Sequence, residues 1–90
     1  MDFDWSLFSA REIKPEEVAE SFEDPFCLRL MPDSGGIAAQ SRFFCLGRSL
    51  SGRGLFSSYS TNGKLIRVLV SRSMTEEEEF FYNRKAKEYL

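Results

Sequence analysis

The stretch that decides the fold is Arg42-Phe43-Phe44-Cys45-Leu46-Gly47-Arg48-Ser49-Leu50-Ser51-Gly52-Arg53-Gly54-Leu55-Phe56-Ser57-Ser58-Tyr59-Ser60-Thr61-Asn62-Gly63-Lys64-Leu65-Ile66-Arg67-Val68-Leu69-Val70-Ser71-Arg72. Three runs within it, 42–48, 53–61 and 64–72, are rich in β-branched or aromatic residues and are parted by short Ser/Gly and Asn-Gly segments. Asn-Gly supplies the positive φ angles that a two-residue hairpin turn needs, so the spacing predicts an antiparallel meander. Upstream, Phe26-Cys27-Leu28-Arg29-Leu30-Met31 adds a further strand, and Pro32-Asp33-Ser34-Gly35-Gly36 reads as a loop by its turn chemistry. Residues 37–40 give no signal of either kind.

A helix is expected on each side of these strands. Pro15-Glu16-Glu17-Val18-Ala19-Glu20-Ser21-Phe22 places Pro in the first turn, acids at the positive end of the dipole, and Val18, Ala19 and Phe22 on one face. Asp24-Pro25 closes it. Thr75-Glu76-Glu77-Glu78 is a capping box, in which the Thr oxygen and the Glu carboxylate satisfy backbone donors that the helix itself cannot. In the helix it opens, Phe80, Phe81, Ala86, Tyr89 and Leu90 form no single stripe, which fits burial on two surfaces, one against the sheet and one against a partner. The architecture predicted is α+β: a four-stranded antiparallel sheet between a short N-terminal helix and a longer C-terminal one. Trp5 is expected to tie the N-terminus onto the core.

Composition bounds the rest. Ninety residues with 42% apolar content make one domain, 1–90, whose apolar side chains are nearly all needed for a single core. No 18-residue apolar run could span a membrane, and the acidic Asp2-Phe3-Asp4-Trp5 is unlike a signal peptide, so a cytoplasmic protein is expected. With no histidine in the chain, Ser-His-Asp, Cys-His and two-histidine metal chemistries are excluded. Cys27 and Cys45 read as small buried hydrophobes in a reducing compartment, a disulfide being the lesser alternative. The net charge of −2 hides a gradient: −6 over residues 1–24, +6 over 25–75 and −2 over 76–90. The local field of that basic middle matters more than the total.

Register sharpens this. A two-residue turn at Asn62-Gly63 sets Ser58 opposite Arg67 and Arg53 opposite Arg72, and a four-residue loop at 49–52 sets Arg48 opposite Arg53. One face would then carry Phe44, Leu46, Leu55, Tyr59, Ile66, Val68 and Val70, with Arg48, Arg53 and Arg72 side by side at one end and Arg67 on the opposite side. Like charges abutting across strands destabilise a sheet unless counter-charge is present. Either Glu76–Glu79 at the start of the last helix supply it, the structural alternative, or phosphate does, since guanidinium forks match phosphate oxygens.

Several segments, in order, resemble one family. Asp2-Phe3-Asp4-Trp5, Phe22-Glu23-Asp24-Pro25, Arg42-Phe43-Phe44-Cys45-Leu46-Gly47-Arg48-Ser49, Gly52-Arg53, Tyr59-Ser60, Arg67-Val68-Leu69-Val70-Ser71-Arg72, and Thr75, Glu78 and Tyr82 together are similar to the motifs of the BrnT-type toxins of bacterial type II toxin-antitoxin systems. The resemblance runs over residues 2–5 and 15–84. It implies a RelE-like fold and a ribonuclease that cleaves RNA without metal or other cofactor, neutralised by a ribbon-helix-helix antitoxin. Arg48, Arg67, Arg72, Glu78 and Tyr82 stand at matching positions. The expected catalytic set is Arg48, Arg72, Glu78 and Tyr82, with Arg48 and Arg72 on phosphate; RNA contact is expected from Arg53, by the register argument, and from Arg67 and Arg11.

The family's Asn-x-x-Lys-His-Gly stretch has no counterpart here: Arg11 stands at its His position and Ala10 at its Lys position. Arginine can replace a cationic contact but transfers protons poorly. Each site residue also has a structural reading: Glu78 as a helix cap, Tyr82 as core, and Arg67 as a surface or helix contact. Two functional classes follow, an RNA-cleaving toxin and a noncatalytic module that keeps the fold and binds a protein. The C-terminal helix suits either an antitoxin or a second copy in a homodimer.

Overall fold

The computed structural model describes residues 2–9, 12–30 and 43–88. Its elements run β1 (Asp2–Asp4), α1 (Pro15–Glu23), β2 (Leu28–Leu30), β3 (Phe43–Arg48), β4 (Gly54–Thr61), β5 (Leu65–Ser73) and α2 (Glu76–Lys87). The fold is α+β, with the two expected helices and four expected strands. The sheet itself differs from expectation: it has five strands in the order β1-β5-β4-β3-β2 and is mixed, because β1 pairs in parallel with β5, setting Asp2 opposite Leu65, Phe3 opposite Ile66 and Asp4 opposite Arg67. The loop predicted at 32–36, the unassigned residues 37–40, Arg11, Arg42 and Tyr89-Leu90 lie outside the described residues.

The helix ends form as their chemistry dictates. Pro15 begins α1, with Glu16 and Glu17 in its first turn. The α2 capping box is complete: Glu78 N–H donates to Thr75 Oγ1 at 3.2 Å, and Thr75 N–H to Glu78 Oε1 at 2.9 Å. Acids fill the first turn of α2 and Arg84, Lys85 and Lys87 its last, matching the dipole at both ends.

Strand register is where expectation and structure part. Arg48 pairs with Gly54, not Arg53, and Leu46 with Phe56, because the loop after β3 is one residue longer than predicted. It closes through Gly52 N–H to the Ser49 carbonyl at 2.9 Å, with Gly52 at a φ of 90°. At the other hairpin Thr61 pairs with Ile66, since the Asn62 side chain accepts from the N–H groups of both Lys64 and Leu65 and so stabilises a wider turn. A bulge follows: Tyr59 pairs with Val68 but Ser58 with Val70, leaving Leu69 as the extra residue in β5.

These slips redistribute the side chains, as any odd register shift must. The single apolar face predicted is in fact two. Leu55, Tyr59, Ile66 and Val68 join Cys45, Ile13, Val18 and Phe22 in the core beneath α1, with Phe3, Trp5, Phe8, Cys27 and Phe43 packed around it. Phe3 meets Phe22 edge-on and stacks on Trp5 at 5.3 Å, so Trp5 packs the N-terminus onto the core as expected, with Phe3 making the contact to Phe22. The other face carries Phe44, Leu46, Phe56 and Val70, covered at one end by α2. Both cysteines are free thiols, Cys45 buried and Cys27 half-buried. The Cys27 thiol donates to the Phe22 carbonyl at 3.5 Å; its interaction with the Cys45 thiol and the nearby Arg29 charge lower its pKa, while the same interaction and burial raise that of Cys45.

Candidate functional site

The sheet end nearest α2 gathers the charged residues of interest. Arg48 closes β3, and its guanidinium is held from several directions. Nη2 reaches Glu79 Oε1 at 3.0 Å and Asn83 Oδ1 at 3.1 Å, Nη1 donates to the Gly52 carbonyl at 2.9 Å, and the group lies 5.1 Å from the Tyr82 ring centroid. Arg72, opposite Phe56, stacks on that ring at 4.2 Å and grips Glu78 with two bonds of 2.8 Å. This pairing holds the Glu78 carboxyl below its ordinary range and raises the Arg72 pKa. Glu78 is thus at once the cap of α2 and the partner of Arg72.

Asp24, which the sequence marks only as the end of a helix, joins three elements. Its Oδ1 accepts from Phe26 N–H at 3.0 Å; its Oδ2 accepts from Arg48 N–H at 2.9 Å and from the Tyr82 hydroxyl. One carboxylate therefore fixes the end of α1, the end of β3 and the middle of α2. The sequence signals it only through its place in Phe22-Glu23-Asp24-Pro25, where Asp24-Pro25 closes the helix. Tyr82 is 4% exposed, and burial first, then its bond to Asp24, pushes its pKa up. It stays a phenol at neutral pH and can donate a hydrogen bond but not serve as a base. Beside this junction lies a cleft of about 570 Å³ whose walls include Glu20, Asp24, Arg48, Leu50 and Tyr82.

Arg48, Arg72, Glu78 and Tyr82 are therefore brought together on the α2 side of the sheet. The predicted three-arginine ladder does not form. Shifted by the longer loop, Arg53 points to the α1 face, where it contacts Glu17 at 3.4 Å, the Glu12 carbonyl at 3.2 Å and Ser73 Oγ. Arg67 pairs with Ser60 rather than Ser58 and lies on the same face as Arg72, at the far end of β5, in an ion pair with Asp4 at 2.9 Å. Hydrogen bonds from Ser6, and then the Arg67 charge, lower the Asp4 pKa to about 2. Arg53 and Arg67 have thus exchanged their expected faces. Arg11 lies outside the described residues.

Counter-charge comes from within the chain at each described arginine of this set: Glu79 for Arg48, Glu78 for Arg72, Glu17 for Arg53 and Asp4 for Arg67. Of the two sources weighed for the Arg48 and Arg72 end, the start of the last helix is the one present. Phosphate would have to exchange with these carboxylates or add at a free edge of a guanidinium. Among the described residues, no group of three or more Cys, Asp and Glu side chains is placed to hold a metal ion, and no helix is long and apolar enough to cross a membrane. Comparison with models of known families finds no match, and no curated protein sequence matches the chain.

Proposed function

We propose that this chain is the toxin of a bacterial type II toxin-antitoxin pair, a cytoplasmic ribonuclease that cleaves RNA without a metal and is held inactive by a ribbon-helix-helix antitoxin. The observation that carries the reading is convergence: Arg48 from β3, Arg72 from β5 and Glu78 and Tyr82 from α2 are the four positions of the expected catalytic set, and they share one end of one sheet face. In such a site the RNA 2′-hydroxyl oxygen attacks the adjacent phosphorus while its proton passes to solvent, and the bond to the 5′-oxygen breaks as that oxygen takes a proton from solvent, leaving a 2′,3′-cyclic phosphate and a 5′-hydroxyl. Arg48 and Arg72 would bear the charge that develops on the phosphorane. Glu78 would orient the Arg72 fork, and Tyr82 would hold Arg48 in place through its ring.

A second reading, a noncatalytic interaction module of the same fold, draws on the ion pairs, since every arginine of the described set already has a carboxylate partner. Induced expression in a bacterial host lacking any antitoxin separates the two. Growth arrest with fragmented RNA, abolished by Arg72→Ala in a protein that still folds, is the expected result. Normal growth and intact RNA from soluble, folded wild type would overturn the nuclease reading and leave the module, whose partner a pull-down would then identify.

A further inference from the structure

The catalytic proposal uses only one side of α2. Its inward side, carrying Glu78, Glu79, Tyr82, Lys85 and Ala86, is buried or half-buried, whereas Phe80 is 69% and Phe81 38% exposed on the other side. Two adjacent phenylalanines left in water on a helix mark a surface that something covers. Around them the exposed positions Glu77, Phe80, Phe81 and Arg84 follow the i, i+3, i+4, i+7 spacing of one helical stripe. Glu77 and Arg84 take part in none of the ion pairs or side-chain hydrogen bonds of the described residues. Lys85 lies 5.8 Å from the Phe81 ring centroid and bonds Glu88 at 3.8 Å, closing only one side of that ring.

The order of charges along the stripe selects the occupant. It runs acid, aromatic, aromatic, base, and it is symmetric about the point between Phe80 and Phe81. Reversed and laid against itself, it brings Phe80 level with Phe81, and Glu77 level with Arg84, at both ends at once. A two-fold axis does this when a surface meets its own copy. The acidic first turn and basic last turn of α2 add the same complementarity, and antiparallel dipoles favour it further. We infer that this stripe is a self-association surface on which α2 pairs antiparallel with α2 of a second copy, Phe80 and Phe81 at its centre and reciprocal Glu77–Arg84 ion pairs on either side. One pair of three-turn helices buries less than the roughly 1,200 Å² of a standard interface, so the dimer forms at high protein concentration and dissociates on dilution.

Sedimentation of the full chain from about 10 µM to about 1 mM at low ionic strength tests this, far-UV circular dichroism confirming that each variant is folded. Glu77→Arg and Arg84→Glu each set like charges opposite one another and are expected to weaken association at least about tenfold. Glu77→Gln, which removes attraction without adding repulsion, should fall between them and the wild type. The double variant Glu77→Arg with Arg84→Glu restores both pairs with signs exchanged and should dimerise much as the wild type does. A wild type that stays monomeric throughout, a dimer indifferent to the single reversals, or a double variant as weak as the singles would each overturn the proposal, the first leaving the stripe to a different protein.

Discussion

On the α1 side of the sheet, Val18 and Phe22 sit over Cys45, Leu55, Tyr59, Ile66 and Val68, all buried, with Phe22 edge-on to Tyr59 at 5.0 Å. On the α2 side, the same strands present arginine stacked on aromatic rings and gripped by carboxylates, with Val70 in solvent. The first side is closed and apolar, so its stability comes from area removed from water and from packing. The second is open and charged, so its order comes from hydrogen bonds and ion pairs that water can replace. Functional chemistry needs the second kind of surface, and a small domain tolerates it only because the first carries the fold.

Removing one ring from each side should expose the contrast most strongly. Phe22→Ala empties the core and is expected to cost about 3–5 kcal/mol, enough at about 4–8 °C per kcal/mol to bring a domain of this size close to unfolding at room temperature. Phe56→Ala removes a half-buried ring and its contact with Arg72, for about 1–2 kcal/mol. Urea titration of both variants checks this, and equal losses would contradict the division of labour between the faces.

Two glycines on neighbouring strands sharpen the same point. A Cβ on Gly47 would lie 2.1 Å from the Ser21 carbonyl oxygen, so α1 would have to lift off the sheet. A Cβ on Gly54 would meet Met74 Sδ at 2.9 Å and Glu79 Oε1 at 3.0 Å, ends of side chains that can swing aside. Gly47→Ala is expected to cost about 3 kcal/mol and Gly54→Ala under about 1 kcal/mol, read from thermal midpoints. A tolerated Gly47→Ala would mean that α1 packs less closely than described.

Adjacent serines give a smaller test. Ser57 and Ser71 share a hydrogen bond of 2.7 Å under α1, so Ser57→Ala strands a buried hydroxyl at a cost of about 1–2 kcal/mol. The Ser58 hydroxyl, buried on the other face, has no hydrogen-bond partner among the described residues, and Ser58→Ala should be neutral or stabilising within about 0.5 kcal/mol. Reversal of that order, by chemical denaturation, would exchange the faces assigned to β4.

The sequence is legible where the chemistry is local. Pro15 and the Thr75–Glu78 box began the helices where stated, and the four strand runs became β2 to β5. What escaped depends on residues far apart or on single-residue counts. The three residues of β1 are too few for their alternation to mark a strand and are ordered by β5, more than sixty residues away. One extra loop residue moved Arg53 to the α1 face, and the bulge at Leu69 brought Arg67 onto the face of Arg72. Side-chain alternation makes any such slip total, so the strands were legible while the arginine constellation was not. Asp24 was missed for a related reason: its bonds reach Arg48 and Tyr82, 24 and 58 residues along the chain.

The smallest expected effect concerns the ion pair that most marks the α2 side. Glu78→Gln keeps an acceptor for Thr75 N–H, so the capping box persists and only the charge facing Arg72 is lost. The partners are 46% and 22% exposed, so screening limits the pair to about 0.5 kcal/mol. Because Arg72 lowers the folded-state pKa of Glu78, the unfolded chain takes up a proton first as pH falls. The wild type's advantage over Glu78→Gln should therefore be full at pH 7, begin to shrink near the ordinary glutamate value of about 4.3, and vanish once pH lies below the lowered value. Urea midpoints at pH 7 and pH 3, at low and high salt, measure it. An advantage that ignored both pH and salt would mean that Glu78 acts through its cap alone, and that the Arg72 fork is free to receive another anion.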